Sequence, residues 1–439
     1  MMHKNFINKK IGIWGFGLVG KSAYKLLSKY TDKIEVFDQN VIEDKNINQN
    51  FNLETFLNND YIIVSPGIDT RKYRNLGINF LSEVDLFYQF YKGHIIALTG
   101  TVGKTTTVNL LHQILEKYRS VVLGGNVGIP MLDLINTGSC AILELSSFQL
   151  EYSEQFAPDL AILTNFSANH LDRHTSLEEY FLAKYNLFKY QNSDQKALVP
   201  LSLIDKFNLL KPKSEIFYFA TNPKEFEISK LKEDDKLLYI RDGFVELMSH
   251  NLSETIIDIK LFPEITYLEN WLIVCAILHL ENIKFNETNF KIDFKVPEHR
   301  LEKFANYKGA IFYNDSKSTV IESTLNAINK INSENLLLIL GGLSKGIDRS
   351  DLIKNCVNKV KKIYIFGKAD DLKQFCDIYG VASEKFDNLE KVTEQIFCDI
   401  KEGDQILFSP AGSSYDLFKN YEERGKKFKE LILEHINSV

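Results

Sequence analysis

The stretch Ile95-Ile-Ala-Leu-Thr-Gly-Thr-Val-Gly-Lys-Thr-Thr106 predicts an apolar strand, a glycine-rich turn and the start of a helix. In such a turn the backbone N–H groups at the helix N-terminus bind phosphate oxygens. Lys104 adds a positive charge, and the hydroxyl of Thr105 can ligate a phosphate-bound Mg²⁺. The usual phosphate loop has a glycine where Leu98 stands, so this loop is a shorter variant. We therefore expect a nucleoside triphosphate site of a particular kind.

The composition is that of an ordinary globular protein. With 439 residues, the chain suits about two to four domains. The net charge of −6 and the absence of basic runs with interleaved aromatics argue against nucleic acid or an anionic membrane as partner. The five cysteines are widely spaced without metal-ligand spacing, and neither a signal core nor a membrane-length apolar run is present. We expect a soluble cytoplasmic protein with reduced cysteines.

Strands alternate with helices along the chain, which predicts an α/β protein with parallel sheets and right-handed crossovers. Three domains are expected, at residues 1–93, 94–296 and 297–439, with a turn at Pro297 as the last linker. A charged, more irregular stretch at 210–262 is expected to form small strands and turns. Ligands of such sheets lie beyond the carboxyl ends of the strands, and the motifs described next fall there.

The first of these motifs, Gly15-Phe-Gly-Leu-Val-Gly20, follows a strand and opens a helix, and Asp38 ends the second strand where a ribose-binding acid would lie. This pattern most often marks a dinucleotide site. A nicotinamide cofactor would fit residues 1–45 but would leave the phosphate loop without a purpose. We favour a nucleotide-diphosphate substrate and keep the nicotinamide cofactor as the alternative.

Two candidate metal ligands follow strands of the central domain. Glu144 falls at the end of strand Ala141–Leu145, one strand along from the phosphate loop, where a carboxylate can hold Mg²⁺ directly or through water. His170 follows strand Leu160–Thr164 and could ligate a second metal, with Asp172 orienting the ring. The alternatives are a surface glutamate and an inert loop histidine.

Lys184 lies on the apolar face of the predicted helix Ser176–Tyr190, in a stripe with Leu177, Phe181 and Phe188. Because burying an ammonium is costly, this lysine pairs with an anion, is neutral, or extends its stem to water. A neutral lysine near Mg²⁺ can react with CO₂ and become a carbamate, which turns a cation into an anion that faces the metal.

Three polar runs follow apolar strands in the third domain: Asn314–Thr319, Gly341–Asp348 and Ser409–Asp416. The last run is expected to cap a helix whose N-terminus would bind a carboxylate. Each run taken alone is also compatible with ordinary turn chemistry. Together they predict a cleft that faces the phosphate loop.

These residues resemble the Mur ligases of bacterial peptidoglycan synthesis, over the whole chain. The motifs that carry the resemblance are Gly15–Gly20, Ser65-Pro66-Gly67, Gly100–Thr106, Gly125–Gly128, Glu144–Gln149, His170–Arg173, His299-Arg300, Asn314–Thr319 and Gly341–Asp348. The closing run from Ser409 to Gly425 is most similar to the members that add D-glutamate. The chain departs from the family pattern at Val102, Asn169, Glu269 and Ile273.

The resemblance implies a Rossmann-like first domain, a central ATP-binding domain with a parallel sheet and a phosphate loop, and a Rossmann-like third domain. It implies a monomeric ATP-dependent amide ligase that adds D-glutamate to UDP-N-acetylmuramoyl-L-alanine through an acyl phosphate. ATP and two Mg²⁺ ions would be needed. The alternatives are a ligase of the same superfamily for another amino acid, a catalytically silent UDP-sugar-binding regulator, and a nicotinamide dehydrogenase.

The resemblance also assigns residues to each substrate. The UDP substrate would contact Gly15, Phe16, Gly17, Leu18, Val19, Gly20, Asp38, Ser65, Pro66, Gly67 and Asn126. ATP would contact Gly100, Thr101, Gly103, Lys104, Thr105, Thr106, Asn270, Arg300, Asp315 and Lys317. Mg²⁺ would be held by Thr105, Glu144, His170 and the carbamate of Lys184, with Lys104, His170 and Lys184 as catalytic residues. D-Glutamate would contact Thr319, Lys345, Ser414, Tyr415 and Tyr421.

Overall fold

The fold is taken from a computed structural model. It describes residues 6–44, 46–50, 52–73, 75–171, 173–250, 252–263, 267–283, 294–295 and 298–438. The described residues form three sheets. The chain separates into two compact units, one made of Met1–Phe166 and Glu178–Lys295 and the other of Ser167–Leu177 and Val296–Val439. The predicted boundary between residues 93 and 94 lies inside the first unit and stays a prediction, and Pro297 lies outside the described residues.

The first sheet has the strand order β3-β2-β1-β4-β5 and is parallel throughout. Its strands are β1 Ile11–Trp14, β2 Ile34–Phe37, β3 Gln49–Asn50, β4 Tyr61–Val64 and β5 Phe80–Leu81, with helices α1 Leu18–Leu27 and α2 Glu83–Phe90. The strands are short apolar runs because a parallel sheet is covered on both faces. A β-carbon on Gly20 would lie 2.0 Å from the carbonyl oxygen of Gly15, so only glycine lets α1 cross β1 this closely.

The second sheet carries the phosphate loop and has the order β14-β13-β12-β11-β10-β9-β6-β8-β7. Its strands are β6 His94–Thr99, β7 Val121–Gly125, β8 Cys140–Glu144, β9 Leu160–Leu163, β10 Lys196–Pro200, β11 Glu215–Ala220, β12 Lys236–Arg241, β13 Phe244–Ser249 and β14 Leu252–Asp258. Its helices are α3 Lys104–Leu115, α4 Ser147–Leu150, α5 Leu177–Lys189, α6 Ile204–Leu210, α7 Glu225–Ile228 and α8 Leu268–Leu280. The start of the last helix was predicted at Glu264, which lies outside the described residues.

The stretch predicted as irregular is more regular than expected. It contains β11 and β12, which continue the parallel sheet, and the antiparallel strands β13 and β14 at its edge. Asp242 and Gly243 join β12 to β13 with positive φ angles of 52° and 87°. An Asp-Gly pair between two strands is a strong hairpin signal, because both residues tolerate the left-handed region.

The third sheet has the order β15-β16-β20-β17-β18-β19, parallel except for the pair β15 and β16. Its strands are β15 Glu302–Tyr307, β16 Ala310–Asn314, β17 Leu336–Gly341, β18 Lys362–Phe366, β19 Ser383–Phe386 and β20 Gln405–Phe408. Its helices are α9 Ile321–Ile331, α10 Ser350–Cys356, α11 Asp370–Tyr379, α12 Leu389–Asp399 and α13 Tyr421–Ser438. Apolar clusters cover both faces of the sheet.

The predicted helix start at Ser409–Asp416 is wrong, because the next helix begins only at Tyr421. The backbone of Ser413 instead exchanges two hydrogen bonds with Leu343, at 2.9 and 3.0 Å. Ala411 has a left-handed backbone, with φ 53°, and the N–H groups of Leu417 and Phe418 both donate to the Ser414 carbonyl, so the run forms bends and one turn that does not continue into a helix.

Two smaller expectations also have an outcome. All five cysteines are free, and four of them are buried while Cys398 is exposed. Among the described residues, no helix combines the length and the apolar character needed to span a membrane.

Glu83, the first residue of α2, is the basis of a stability prediction. Its side chain is 3% exposed, and burial raises the pKa of its carboxyl to about 7, against a smaller opposing effect of Gln149 and Met131. Because the folded state favours the protonated form, the stabilising effect of protonation is lost as the pH rises through about 7. Above pH 7, where Glu83 must be ionised in its buried site, the free energy of unfolding is lower by about 3 kcal/mol. We expect Glu83→Gln to raise the apparent melting temperature by a few degrees at pH 8.5 and to change it little at pH 5. A constant difference between the two melting curves across this pH range would contradict the prediction.

Candidate functional site

The phosphate loop joins β6 to α3 and is held from below by the residues that follow β9. The backbone of Gly100 has φ +148°, and a β-carbon there would lie 2.0 Å from the Thr164 hydroxyl. The Thr164 hydroxyl donates to the carbonyl of Val102 at 2.7 Å. The N–H of Val102 donates to the Asn165 side chain at 2.9 Å. Both hydrogen bonds use the backbone of Val102, so they do not depend on the side chain at this position, where the chain departs from the family pattern. The ammonium of Lys104 donates to the carbonyls of Gly100 and Thr101 at 2.7 and 3.0 Å.

The start of α3 supplies the rest of the predicted triphosphate site. Thr105 is half-buried and Thr106 is buried in the first helical turn, which contains no acidic residue. The left-handed Gly103, with φ +83°, caps the helix. Asn270 of α8 lies against it, since a β-carbon on Gly103 would meet the Asn270 amide oxygen at 2.7 Å. The structure thus places Asn270 at the phosphate loop, one of the contacts predicted for ATP.

Lys184 is the strongest electrostatic feature of this site. Its side chain is 2% exposed, so the predicted alternative in which the stem reaches water is excluded. The amine donates to the Gly100 carbonyl at 2.8 Å and lies 4.7 Å from the centre of the Tyr180 ring. Burial, and then the nearby charge of Lys104, lower the pKa of Lys184 well below its ordinary value, although Glu144 opposes this. The geometry therefore favours a neutral, nucleophilic amine.

The stripe predicted around Lys184 is correct at two positions and wrong at one. Phe181 and Phe188 are buried as expected, at 1% and 0% exposure. Leu177, however, is 45% exposed. It is the first residue of α5, before the helix reaches the core.

Glu144 is the last residue of β8, as predicted, and is 2% exposed rather than on the surface. One carboxylate oxygen, Oε1, accepts from the Asn126 amide at 3.0 Å. The other oxygen, Oε2, is buried and has no hydrogen-bond partner among the described residues. A buried carboxylate oxygen without a donor suits a cation, so Glu144 fits its predicted metal role.

Asn126 was predicted as a contact of the UDP substrate, and its amide lies on Glu144. Its backbone N–H also donates to the carbonyl of Glu144, at 2.7 Å. This double contact fixes the direction of the free carboxylate oxygen. In the sequence, the glycine-rich turn Gly125–Gly128 after β7 is the feature that indicates this contact, because β7 lies next to β8, which ends at Glu144.

His170 belongs to the second compact unit, with Ser167–Leu177. Its backbone is left-handed, with φ 55°, and its N–H donates to the Asn169 side chain at 2.9 Å. Its place beside Glu144 and Lys184 stays a prediction. Asp172, the expected orienting partner, lies outside the described residues. Within the described part of the chain, no three His, Cys, Asp or Glu side chains cluster as metal ligands do.

The Gly15–Gly20 turn has the geometry expected of a phosphate-binding turn. The Ser65 hydroxyl donates to the Gly15 carbonyl at 2.9 Å, which ties the end of β4 to the turn. The Asp38 carboxylate accepts from the N–H of Phe16 at 2.6 Å. Burial works against ionisation of Asp38, but hydrogen bonds from Asn40 and Phe16 outweigh it, so the pKa of this carboxyl is lowered.

The outer side of this turn is open. Among the described residues, and leaving out the chain neighbours of Gly17, no atom lies within 4 Å of a β-carbon built on Gly17, and Leu18 is 76% exposed. The turn residues Phe16 and Val19 and the Ser65-Pro66 pair are half-buried, while Gly67 is exposed. The predicted nucleotide contacts therefore surround one accessible helix N-terminus.

In the second unit, Asp315 joins two strand ends. Its carboxylate accepts from the hydroxyls of Ser318 and Ser409 at 2.5 and 2.8 Å and from the N–H of Leu301 at 3.0 Å. Burial raises the pKa of Asp315 to about 6, while these bonds and the charge of Arg300 oppose the rise. Asp315 thus organises its loop, and the contacts of Asp315 and Arg300 with ATP stay predictions.

Two predicted amino-acid contacts, Lys345 and Thr319, meet each other, and a third, Tyr421, meets Lys317, which was predicted as an ATP contact. The Lys345 ammonium lies 3.5 Å from the Thr319 hydroxyl. The Lys317 ammonium lies 3.6 Å from the centre of the Tyr421 ring, close enough for a cation–π contact. Ser414 is buried, at 3% exposure, whereas Tyr415 is 72% exposed, and the contacts of both with D-glutamate stay predictions.

Arg424 belongs to the closing run that carries the resemblance, but the sequence assigns it no role. It is fully buried, and its guanidinium donates to the hydroxyl and carbonyl of Ser316 at 3.0 and 2.6 Å and to the Gly412 carbonyl at 2.9 Å. It thereby joins the loops after β16 and β20, which carry the predicted ligand contacts. Burial lowers the pKa of Arg424 to about 10, against the pull of Asp416 and Asp315.

Known proteins match the chain at the level of sequence. The family model described as Mur ligase middle domain matches residues 98–278. The UDP-N-acetylmuramoylalanine--D-glutamate ligase of Thermoanaerobacter pseudethanolicus is 31% identical over 456 residues, which cover 97% of this chain and 98% of the relative. The protein of the same name from a Hydrogenobaculum species is 33% identical, with 97% and 99% coverage.

Solved structures match the fold. The MurF ligase of Thermotoga maritima in complex with ADP has a TM-score of 0.60 at 14% identity and covers 100% of this chain and 97% of its own. The UDP-N-acetylmuramate-alanine ligase MurC of the same organism has a TM-score of 0.56 at 16% identity, with 98% and 100% coverage. These likenesses confirm the predicted α/β fold class.

The sequence matches extend over almost the full length of both partners, and the phosphate loop, Glu144 and the turn after β1 lie where the resemblance predicts them. This chain belongs to the Mur ligase family.

Proposed function

We propose that this chain is the ligase that joins D-glutamate to UDP-N-acetylmuramoyl-L-alanine at the expense of ATP, in the synthesis of peptidoglycan precursors. The observation that carries the proposal is the burial of the Lys184 amine against the phosphate loop, near the free oxygen of Glu144. The names of the full-length relatives support D-glutamate as the amino acid added.

Lys104 and the N–H groups at the start of α3 would bind the phosphates of ATP. Thr105, Glu144, His170 and a carbamate on Lys184 would hold Mg²⁺. Bound there, the ions would offset the charge repulsion between a carboxylate and a phosphate. The free oxygen of Glu144 and the lowered pKa of Lys184 support this donor set, since only an uncharged amine attacks CO₂.

The proposed reaction has two steps. The carboxylate of the L-alanine residue attacks the γ-phosphorus of ATP, an acyl phosphate forms and ADP leaves. The amine of D-glutamate then attacks the acyl carbon, and phosphate leaves from a tetrahedral intermediate. Lys104 would stabilise the charge that develops on the transferred phosphoryl group, an effect that typically contributes several kcal/mol.

The remaining substrate contacts are also proposals. The open turn at Gly15–Gly20, with Asp38 and the Ser65-Pro66-Gly67 run, would bind the UDP moiety. Thr319, Lys345, Ser414, Tyr415 and Tyr421 would bind D-glutamate. The contact between Lys345 and Thr319 supports a shared role of these two residues. The three domains at 1–93, 94–296 and 297–439 would each carry one of the substrate sites.

The first test is ADP release with ATP, UDP-N-acetylmuramoyl-L-alanine and a panel of amino acids. We expect ADP release to depend on D-glutamate, and Lys104→Ala to lower kcat/KM by about 1,000-fold, because one phosphate-stabilising cation is lost. Lys117→Ala is the matched control, since Lys117 is an exposed lysine just beyond the same helix. Dependence on L-alanine or a diamino acid instead of D-glutamate would refute the proposal.

The second test concerns the carbamate of Lys184. Supplied with ¹³C-bicarbonate, the wild-type protein should show a carbamate carbon resonance that Lys184→Ala lacks. We expect Lys184→Ala to lose at least about 100-fold in kcat and to recover part of it with added acetate, which can replace the carbamate oxygens. Lys104→Ala should not respond to acetate. Wild-type activity of Lys184→Ala without acetate would show that no carbamate is needed.

A further inference from the structure

We propose that Arg349, paired with Asp371, is a positioning residue for the amino-acid substrate, because it fixes the loop Gly342–Lys345. The identity of that substrate rests on the proposed function. The position of the loop rests only on contacts within the second compact unit.

Arg349 connects the loop to a helix. Its guanidinium is 1% exposed and donates from Nε and Nη2 to the two carboxylate oxygens of Asp371, at 2.8 and 2.5 Å. Its third nitrogen, Nη1, donates to the Gly342 carbonyl at 3.1 Å. Asp371 lies in the first turn of α11, where a carboxylate is favoured by the helix dipole. The arginine therefore connects the start of α11 to the backbone of the loop at Gly342.

The loop cannot hold this shape by local preference alone. Gly342 and Lys345 both have left-handed backbones, with φ of 77° and 56°, and the second is unfavourable for a lysine. A β-carbon on Gly342 would lie 2.3 Å from the Ser413 carbonyl, so the two loops approach closely. The backbone hydrogen bonds between Leu343 and Ser413 hold one side of the loop, and Arg349 holds the other.

The residues on this loop are the reason to assign a substrate role. Lys345 follows the anchored Gly342 by three residues and points its ammonium at Thr319. Ser413, on the other side, is followed by Ser414. The positions of Lys345, on the same loop, and of Ser414, next to the bonded Ser413, are thus linked to where Gly342 is held.

Only arginine can make this set of bonds. Its planar fork binds both oxygens of one carboxylate and still has a donor for a carbonyl, whereas a lysine offers a single nitrogen. The Asp371 side chain is 36% exposed, and ion pairs that reach solvent contribute little net stability. A role in positioning therefore explains the arrangement better than a role in stability.

The experiment is steady-state kinetics of Arg349→Met with each substrate varied in turn. We expect the KM for D-glutamate to rise by about 10-fold or more, with the KM values for ATP and the UDP substrate within about twofold of wild type. Arg349→Lys should recover only part of the effect. Asp371→Asn should shift the same KM in the same direction, and it replaces Arg349→Met if that variant does not fold.

Lys361→Met is the matched control. Lys361 pairs with the buried Asp404 at 2.7 Å in the same unit, but it precedes β18, at the amino end of the strands. The variant Lys361→Met should lower the melting temperature without selectively changing the KM for D-glutamate. An unchanged KM for D-glutamate in Arg349→Met, or equal changes in all three KM values, would overturn the proposal.

Hydrogen exchange separates this proposal from the proposed function. Peptides that cover residues 342–346 should exchange faster in Arg349→Met than in Lys361→Met, whatever the substrate of the protein is. If the wild-type chain shows no D-glutamate-dependent ADP release, the proposed function fails, and the exchange result alone decides on Arg349. Equal exchange in the two variants would show that Arg349 does not position the loop.

Discussion

The burial of one amine, that of Lys184, is the constraint on which the nucleotide end of this protein depends. An ammonium without water or a direct carboxylate partner is expensive, so the surrounding charges decide its protonation state. Lys104 lies close enough to make the charged form still less favourable, and Glu144 only partly offsets this. The same region leaves one carboxylate oxygen of Glu144 without a donor. Both features cost stability by themselves, and both would be satisfied by an anion on the lysine and a cation between the two groups.

Much of this region could be predicted from the sequence, because the signals are local. A glycine-rich turn between an apolar strand and a helix has few structural solutions, so the loop at Gly100–Lys104 and the turn at Gly15–Gly20 were placed correctly. Glu144 was found because a carboxylate directly after an apolar run must lie at a strand end. The period of α5 placed Lys184 on the buried face, but only the structure could decide among the three ways of burying it.

The parts that could not be predicted depend on contacts between distant residues. Arg424 meets Ser316 across 108 positions of the chain, and Arg349 meets Asp371 across 22. Nothing in the neighbourhood of either arginine marks it as buried. The run Ser409–Asp416 differs from its predicted structure for the same reason, since the backbone of Ser413 pairs with Leu343 from another loop. The hairpin at Asp242-Gly243 is different, because its turn signal is local, although it lies within a charged stretch whose composition predicts irregular structure.

The anchoring of the loops in the third sheet has a consequence for how such a protein can diverge. Arg349 donates a hydrogen bond to the main-chain carbonyl oxygen of Gly342, and Arg424 donates one to that of Gly412. A carbonyl is present whatever side chain its residue bears. Substitutions elsewhere in these loops can therefore alter the chemistry displayed to a ligand while the support beneath stays the same. A lineage can in this way exchange one amino-acid preference for another without redesigning the scaffold.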